Sequence, residues 1–229
     1  MHSIIDQWNQ AAAQYAEDQD RSALAQSNRR IVTRRFGDLT GMQVLDLGCG
    51  YGNYTDYFRS IGAEVTGVDG AQAMLAIARE RYPHCTFRQC DITRALPFAD
   101  VQFDLVFCNQ VLMDIADIGP VLAQCHRVLK KGGVFYFSIV HPAFYAGSWL
   151  EDAQGFRYAK AVQAYIRPYS LTNHFWGDTA HYHRPLSYYL NAAAAHGFCL
   201  VRAEEPPAYD GITKTNDLPL FFFAEYRKA

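Results

Sequence analysis

The chain has 229 residues, half of them apolar, and a formal net charge of −2. This length and composition suffice for one large core without disulfides or metal, so a single domain over residues 1–229 is expected. The balanced charge and the absence of a long apolar run disfavour nucleic acid and membranes as partners and predict a cytoplasmic protein.

The first forty residues have a helical composition around 8–15 and precede the first predicted strand. We expect residues 1–40 to form a helical lid or to pack outside the core. The six cysteines include no C-x-x-C pair and fall largely in apolar runs, so they are interpreted as reduced core residues.

From residue 42 onward, short apolar runs alternate with helix-like segments, a pattern typical of a parallel sheet wrapped by helices. Residues 41–140 are therefore predicted to form the cofactor-binding core of an α/β, doubly wound fold. One predicted helix ends at Gly62, and two others span Ala71–Arg81 and Ile118–Leu129. A turn is predicted over 130–133. The predicted strands cover 42–47, 64–69, 85–90, 103–108 and 134–139.

Residues 141–185 mix aromatic, histidine and charged residues with no sustained period of either 2 or 3.6. This segment is interpreted as a cap inserted over the strand ends after strand five. In the last part, 186–229, a helix over 187–196 precedes strands at 198–203 and 221–226. These two strands would complete a seven-stranded, mostly parallel sheet.

Residues at the predicted strand ends form a chemically coherent set. Open α/β sheets bind ligands at the carboxyl ends of their strands, and Gly48 and Gly50 follow strand one, where glycines let a backbone approach a ligand and supply N–H groups. Asp69 ends strand two, where an acid can accept both hydroxyls of a ribose diol. Asp91 and Ile92 end strand three and suit an adenine amine and ring face. Together they predict an adenosine site.

The glycine loop after strand one indicates which adenosine-containing ligand the site would bind. A dinucleotide fingerprint requires a third glycine at position 53, where this chain has Asn53. The run V-L-D-L-G-C-G-Y-G instead resembles the first motif of the class I S-adenosylmethionine-dependent methyltransferases. The resemblance covers roughly residues 40–140 and continues, in order, through Val68-Asp69, Cys90-Asp91-Ile92, Phe103–Val106 and Leu129–Gly133.

This resemblance implies S-adenosylmethionine as cofactor, S-adenosylhomocysteine as product and a Rossmann-like fold. It implies that the loop backbone holds the methionine part, that Asp69 holds the ribose and that Asn109 lies beside the methyl group. Tyr15 resembles a tyrosine placed near the cofactor carboxylate, although simple packing of its helix explains it equally well. The implied cofactor residues are Tyr15, Asp46, Gly48, Cys49, Gly50, Asp69, Gly70, Asp91, Ile92 and Asn109.

Two histidines of the insertion are the candidate catalytic residues. His141 directly follows strand five, although His141-Pro142 can also simply turn the chain. His183 shares a period of 2 with His181, but no third ligand accompanies the pair, so no metal site is predicted. Asp114 and Asp117 are interpreted as solvated or helix-capping acids.

The insertion is rich in aromatic residues, which suits either a cap over a flat or cationic acceptor or an auxiliary core. Arg167 and Arg184 can bind a substrate anion or form ordinary ion pairs. The segment Cys108–Val111 lacks the N-P-P-Y run of methyltransferases for nucleic acid and protein glutamine.

A small-molecule acceptor, methylated on N, O or C, is the expected partner of a monomer or homodimer. The alternatives are an NAD(P)-dependent oxidoreductase, which shares the sheet and glycine loop, and a non-catalytic S-adenosylmethionine-binding protein.

Overall fold

The computed structural model describes residues 3–207 and 218–229. In chain order, the helices are α1 (Ile4–Arg21), α2 (Ala23–Arg35), α3 (Asn53–Ser60), α4 (Gln72–Arg81), α5 (Gly119–Val128), α6 (Pro142–Tyr145) and α7 (Leu186–Ala195). The strands are β1 (Gln43–Leu47), β2 (Glu64–Asp69), β3 (Thr86–Gln89), β4 (Phe103–Asn109), β5 (Leu129–Val140), β6 (Ser148–Glu151), β7 (Arg157–Ala161), β8 (Tyr169–Asn173), β9 (Thr179–His183), β10 (Phe198–Glu204) and β11 (Phe221–Lys228). A 3-10 turn spans Leu112–Asp114.

The central sheet has seven strands in the order β10-β11-β5-β4-β1-β2-β3. Strands β1 to β5 pair in parallel, and β11 runs antiparallel to both β5 and β10. The predicted α/β, doubly wound, mostly parallel sheet is confirmed. The predicted turn at 130–133 is instead the start of β5, which pairs with β4 through a register shift while Gly132 has a φ of +70°.

The sheet buries both of its faces because helices cover each side. Alternate residues of a strand point to opposite faces, so Val44 packs with Phe58 and Phe107 while Leu45 and Leu47 pack on the other side. This two-sided burial explains why the central strands are continuous apolar runs. Of the cysteines predicted to be in the core, Cys199 lies exposed on the edge strand β10.

The inserted segment contains more regular structure than its sequence predicts. It forms the short helix α6 and two antiparallel hairpins, β6–β7 and β8–β9. In β9 the buried residues are Thr179, His181 and His183, which alternate with half-buried ones. Burial alternates with a period of 2, but the buried residues are polar. A search for alternating apolar residues therefore does not detect this strand.

The N-terminal segment forms the two helices α1 and α2, and α1 contacts the insertion. Ser3 and Asp6 form a capping box at the start of α1, and Ser22 caps α2. The backbone N–H of Ala180 donates to the Gln7 side chain (2.9 Å), and the Trp176 indole donates to Asp18 (2.7 Å). None of the helices in the described part of the chain has the length and apolarity required to cross a bilayer.

The loop between β1 and α3 requires glycine for two different reasons. Gly50 has a φ of +53°, but a Cβ there would meet nothing within 4 Å. Gly52 has a φ of +88°, and a Cβ there would lie 2.7 Å from the Phe87 ring and 3.0 Å from Ala78. The first position constrains only the backbone, whereas the second also constrains packing.

We therefore expect Gly52→Ala to lower the free energy of unfolding by about 2–4 kcal/mol, because backbone strain and overpacking add. The matched variant Gly50→Ala should lose only about 1–2 kcal/mol. Urea denaturation of both variants measures the difference. Equal losses would contradict the role assigned to the Phe87 contact.

Candidate functional site

Two adjoining cavities open at the carboxyl ends of the parallel strands. The strand-end cavity has a volume of about 110 Å³ and is lined by residues that follow β2 and β3. The cap cavity, about 330 Å³, lies between the glycine loop, α2 and the inserted hairpins. The residues common to both linings are Trp8, Tyr15, Gly48, Gly50, Asn109, Gln110 and Asp114.

All ten residues that the sequence predicts for the cofactor line one or both cavities. Asp69, Gly70, Asp91 and Ile92 line the strand-end cavity. Asp46 and Cys49 line the cap cavity, and the remaining four belong to the shared wall. The topology of the sheet brings these residues together, whereas their roles in binding stay predictions.

Asp69 both faces the strand-end cavity and organises the loop beside it. One carboxylate oxygen accepts the N–H of Gly50 (2.9 Å) and the other accepts that of Ala71 (2.8 Å). Burial raises the pKa of Asp69, although the backbone hydrogen bonds oppose this effect. Each carboxylate oxygen has a second lone pair, so the group retains acceptor capacity for a diol.

The carboxylate of Asp91 is largely engaged within its own turn. It accepts hydrogen bonds from the backbone (3.0 Å) and hydroxyl (2.6 Å) of Thr93 and from Arg94 (3.2 Å). Partial burial alone would raise the pKa of Asp91, but these hydrogen bonds lower it. A contact between Asp91 and an adenine amine therefore has to share an oxygen that already accepts.

The prediction that the glycine loop supplies free N–H groups is wrong for its first three residues. The N–H groups of Gly48 (2.8 Å) and Cys49 (2.9 Å) both donate to the carbonyl of Val68, and that of Gly50 donates to Asp69. The side chain of Cys49 belongs to a buried cluster with Leu75. The loop backbone can thus lie against a ligand, while these three N–H groups stabilise the fold.

Asp46 lies beneath the loop and is 2% exposed. Its carboxylate accepts the hydroxyl of Thr55, on α3, at 2.6 Å. Burial raises the pKa of Asp46 to about 7, and the hydrogen bond from Thr55 opposes part of that shift. Asp46 therefore joins β1 to α3 and also borders the cap cavity.

Aromatic residues of α1 form the wall that the two cavities share. The ring of Tyr15 meets those of Trp8, Trp176 and Tyr51 edge-on, with centroids 5.2, 4.8 and 6.0 Å away. Burial raises the pKa of Tyr15, so its hydroxyl stays protonated. Both readings of Tyr15, packing and ligand contact, are compatible with this position.

The end of β4 is held by polar side chains. The hydroxyl of Ser138 donates to Asn109 (2.6 Å), and the amide of Gln110 donates to that hydroxyl (2.9 Å). Gln110 has a φ of +58°, which is uncommon outside glycine and places its side chain at the shared wall. Asn109 is thus fixed with its amide nitrogen available.

Sequence analysis missed Arg29 of α2. It lines the cap cavity beside Tyr51, whose hydroxyl accepts from its guanidinium at 3.4 Å. Within the described residues, its Nε atom and the amide nitrogen of Asn28 are buried without a hydrogen-bond acceptor. Buried donors of this kind require an acceptor, so this corner suits an anion. Four arginines occur in α2, and nothing in the sequence marks which one borders a cavity.

His141 is structural. Its Nδ1 atom accepts the N–H of Ala143 (3.2 Å) and so caps α6, while its Nε2 atom lies 2.7 Å from Glu205. Both ring nitrogens are engaged, and the residue lines neither cavity. The structure therefore does not bring His141 to either cavity, and its ring instead stabilises the turn at His141-Pro142.

His183 is also directed away from the cavities. Its Nε2 atom lies 2.8 Å from the carbonyl of Tyr165, and its ring stacks on Tyr169. The histidine that lines the cap cavity is His181, two residues earlier on the same face of β9. The sequence pattern found the correct face of the strand but the wrong member of the pair.

His181 lies opposite Asp114, which is 8% exposed and lines both cavities. The His181 Nδ1 atom is 3.9 Å from an Asp114 carboxylate oxygen, and the imidazole stacks on Tyr145 at 4.4 Å. Burial raises the pKa of Asp114 and lowers that of His181 to about 4. The interpretation of Asp114 as a solvated or capping acid is therefore wrong, whereas Asp117 does cap Gly119.

Neither arginine considered for an anionic substrate lies in the cavities. Arg184 is buried, and its guanidinium donates to the carbonyls of Leu112, Ile115 and Ala116. Arg167 is exposed. A separate group with metal-ligand spacing, Asp56, His84 and Cys85, is also outside both linings.

The family match falls within the predicted cofactor-binding core. Residues 45–137 match the family model described as "Methyltransferase domain". A malonyl-[acyl-carrier protein] O-methyltransferase from Pseudescherichia vulneris is 34% identical over 139 residues, which cover 59% of this chain and 55% of the relative. A ubiquinone biosynthesis O-methyltransferase from Pseudomonas aeruginosa is 36% identical over 114 residues, covering 48% of this chain and 49% of the relative. The chain thus spans about half the length of the curated relatives it matches.

Structural similarity extends further than sequence similarity. The crystal structure of an S-adenosylmethionine-dependent methyltransferase from Mesorhizobium loti superposes with a TM-score of 0.76 at 27% identity. The match covers 91% of this chain and 99% of that one. The likeness therefore includes most of the chain outside residues 45–137.

The raised pKa of Asp46 predicts a pH dependence of stability. A folded-state pKa of about 7, above the ordinary value of 3.8, means that the protonated form stabilises the fold. This contribution is complete below about pH 4 and is lost as the pH rises to about 7. Over that interval we expect the wild type to lose about 1–3 kcal/mol more unfolding free energy than Asp46→Asn. The asparagine still accepts the Thr55 hydroxyl but does not titrate.

Urea denaturation at about pH 4 and about pH 8 measures this difference, with Asp117→Asn as the exposed control. The control should follow the wild type. Parallel pH profiles for Asp46→Asn and the wild type would contradict the assignment.

Proposed function

We propose that this chain, a member of the class I S-adenosylmethionine-dependent methyltransferase superfamily, methylates a small molecule with S-adenosylmethionine as the donor. When bound, this cofactor supplies a methyl group activated by a sulfonium. The observation that carries the proposal is the pair of adjoining cavities, since one is lined by the predicted nucleoside residues and the other is large enough for a second small ligand.

The side chains present fit the parts of the cofactor. Asp69 would accept the ribose hydroxyls, and Ile92 would cover a face of the adenine. The unpartnered Nε of Arg29 would satisfy its hydrogen-bonding capacity on the cofactor carboxylate. Tyr15 and Asn109, in the shared wall, would flank the region between nucleoside and acceptor.

Apart from the residues assigned to the cofactor, those of the cap cavity would hold the acceptor and exclude water from it. Methyl transfer from a sulfonium is an in-line displacement, so positioning in a dry pocket supplies much of the catalysis. Trp8, Tyr145, Trp176 and Phe221 give this cavity aromatic walls. The names of both curated relatives specify O-methylation, which favours oxygen among the N, O and C acceptors.

The alternatives receive less support. An NAD(P)-dependent oxidoreductase would need a tight pyrophosphate turn, but here Asn53 occupies the position of the third glycine and begins α3. A non-catalytic binding protein would share the nucleoside site and would differ only in lacking turnover. A monomeric or homodimeric state and a cytoplasmic location stay predictions.

The proposal predicts that the protein binds S-adenosylmethionine and S-adenosylhomocysteine and does not bind a nicotinamide dinucleotide. Asp69→Asn should weaken both nucleosides by about 1.5–3 kcal/mol, because a charged acceptor for the shared ribose is lost. Asparagine is preferable to alanine here because Asp69 also accepts loop N–H groups. Calorimetric titration measures the affinities, with Glu64→Gln at the exposed start of β2 as control. Dinucleotide binding, or full affinity in Asp69→Asn, would refute the assignment.

A second prediction concerns Arg29 and separates the two ends of the cofactor. Arg29→Met should weaken S-adenosylhomocysteine by about 1.5–3 kcal/mol and leave methylthioadenosine unaffected, since the latter lacks the carboxylate. Arg30→Met, on an exposed neighbour that contacts Ser27, is the matched control and should change neither affinity. Equal weakening of both nucleosides would show that Arg29 acts on the fold and does not contact the carboxylate.

A further inference from the structure

Asp114 is a buried acid in the wall that the two cavities share. It ends the 3-10 turn after β4, is 8% exposed and borders both cavities. Two acids that each line one cavity have structural partners, since Asp46 accepts from Thr55 and Asp69 accepts from the loop. A buried carboxylate requires a compensating charge or donor, so Asp114 points to a ligand.

The groups around Asp114 do not supply a permanent positive charge. His181 faces it from β9 at 3.9 Å, Tyr145 approaches from α6 and Tyr15 from α1. Burial lowers the pKa of His181 to about 4, so its imidazole is neutral near pH 7. The first arginine after β9, Arg184, donates to backbone carbonyls, and His183 faces Tyr165. Burial alone favours the protonated form of Asp114, and a bound cation would supply the charge that stabilises its ionised form.

We propose that Asp114 pairs with the sulfonium of the methyl donor and accepts the proton of an aromatic hydroxyl as that oxygen is methylated; this inference rests on the proposed function. A bond forms between the acceptor oxygen and the methyl carbon, and the carbon–sulfur bond breaks with its electron pair left on sulfur. The hydroxyl proton passes to Asp114. Sulfonium and carboxylate become thioether and carboxylic acid, so the step removes a pair of buried charges.

This charge balance favours a neutral acceptor. The sulfonium and Asp114 neutralise each other before the reaction, so an ammonium acceptor would leave an uncompensated positive charge in a buried site. The walls of the cap cavity include the rings of Trp8, Tyr145, Trp176 and Phe221, which suit a flat body. An aromatic hydroxyl satisfies both conditions.

His181 and Tyr145 are positioning residues in this scheme. The Tyr145 hydroxyl donates to Asn173 (2.8 Å), which fixes the ring on which His181 stacks. The imidazole then lies on the cap side of Asp114, where a small movement would allow its Nδ1–H to donate to the carboxylate. Catalytic hydrogen bonds are often long in a ligand-free protein.

The first test is a binding measurement, which needs no knowledge of the acceptor. Asp114→Asn should raise the Kd of S-adenosylmethionine at least about fivefold and leave that of S-adenosylhomocysteine, which lacks the sulfonium charge, unchanged. Asp117→Asn, three residues away and outside both cavities, should change neither Kd. Equal effects of Asp114→Asn on both ligands would overturn the charge pairing.

The second test follows labelled methyl transfer to phenols of graded acidity and to anilines of matching shape. With phenols of pKa about 10, Asp114→Asn should lower kcat/KM by about 10²–10⁴-fold. With nitrophenols that are already ionised at the assay pH, the variant should come within about fivefold of the wild type. A structural defect would slow all phenols alike, and that result would overturn the role of Asp114.

The remaining outcomes distinguish failure of the proposed function from failure of this inference. Wild-type protein that binds neither nucleoside refutes the proposed function itself, whereas protein that binds both and methylates anilines but no phenol refutes only this inference. Methylation of neither series despite binding also refutes the acceptor class. Thermal unfolding establishes that the variant is folded, and Asp114→Ser provides a second substitution should Asp114→Asn fail to fold.

Discussion

Three hydrogen bonds between the glycine loop and the end of β2 determine the shape of the candidate site. The carbonyl of Val68 accepts the N–H groups of Gly48 and Cys49, and the carboxylate of Asp69 accepts that of Gly50. Together they fix the loop against β2. Gly48 also lies so close to Val111, which follows β4, that a Cβ at Gly48 would collide with it. The wall shared by the two cavities exists because this loop is held in place.

Most of the fold could be predicted from the sequence because the signals that specify it lie within short segments of the chain. Alternating apolar runs and helix-like segments specify a doubly wound sheet, and the ends of parallel strands meet at one edge. The ten cofactor candidates accordingly line the cavities. The direction of individual groups was not predictable in this way: residue type alone does not reveal that the loop N–H groups donate internally or that Asp91 accepts from its own turn.

The acceptor side was predicted less well, since its residues come together through long-range contacts. Asp114 follows β4 whereas His181 lies on β9, and Arg29 is one of several arginines in its helix. In β9 the inward positions are polar, so hydrophobic periodicity, the main signal for a buried strand, is missing. His141 illustrates the reverse error: a residue directly after a strand looked functional, but its ring caps a helix and pairs with Glu205.

The contacts of α1 give the two cavities a mechanical connection. Trp8 and Tyr15 line both, and the same helix is hydrogen-bonded to the inserted segment through Gln7 and Asp18. A ligand that contacts Trp8 or Tyr15 therefore touches the helix that also holds the second hairpin, in which His181 lies opposite Asp114.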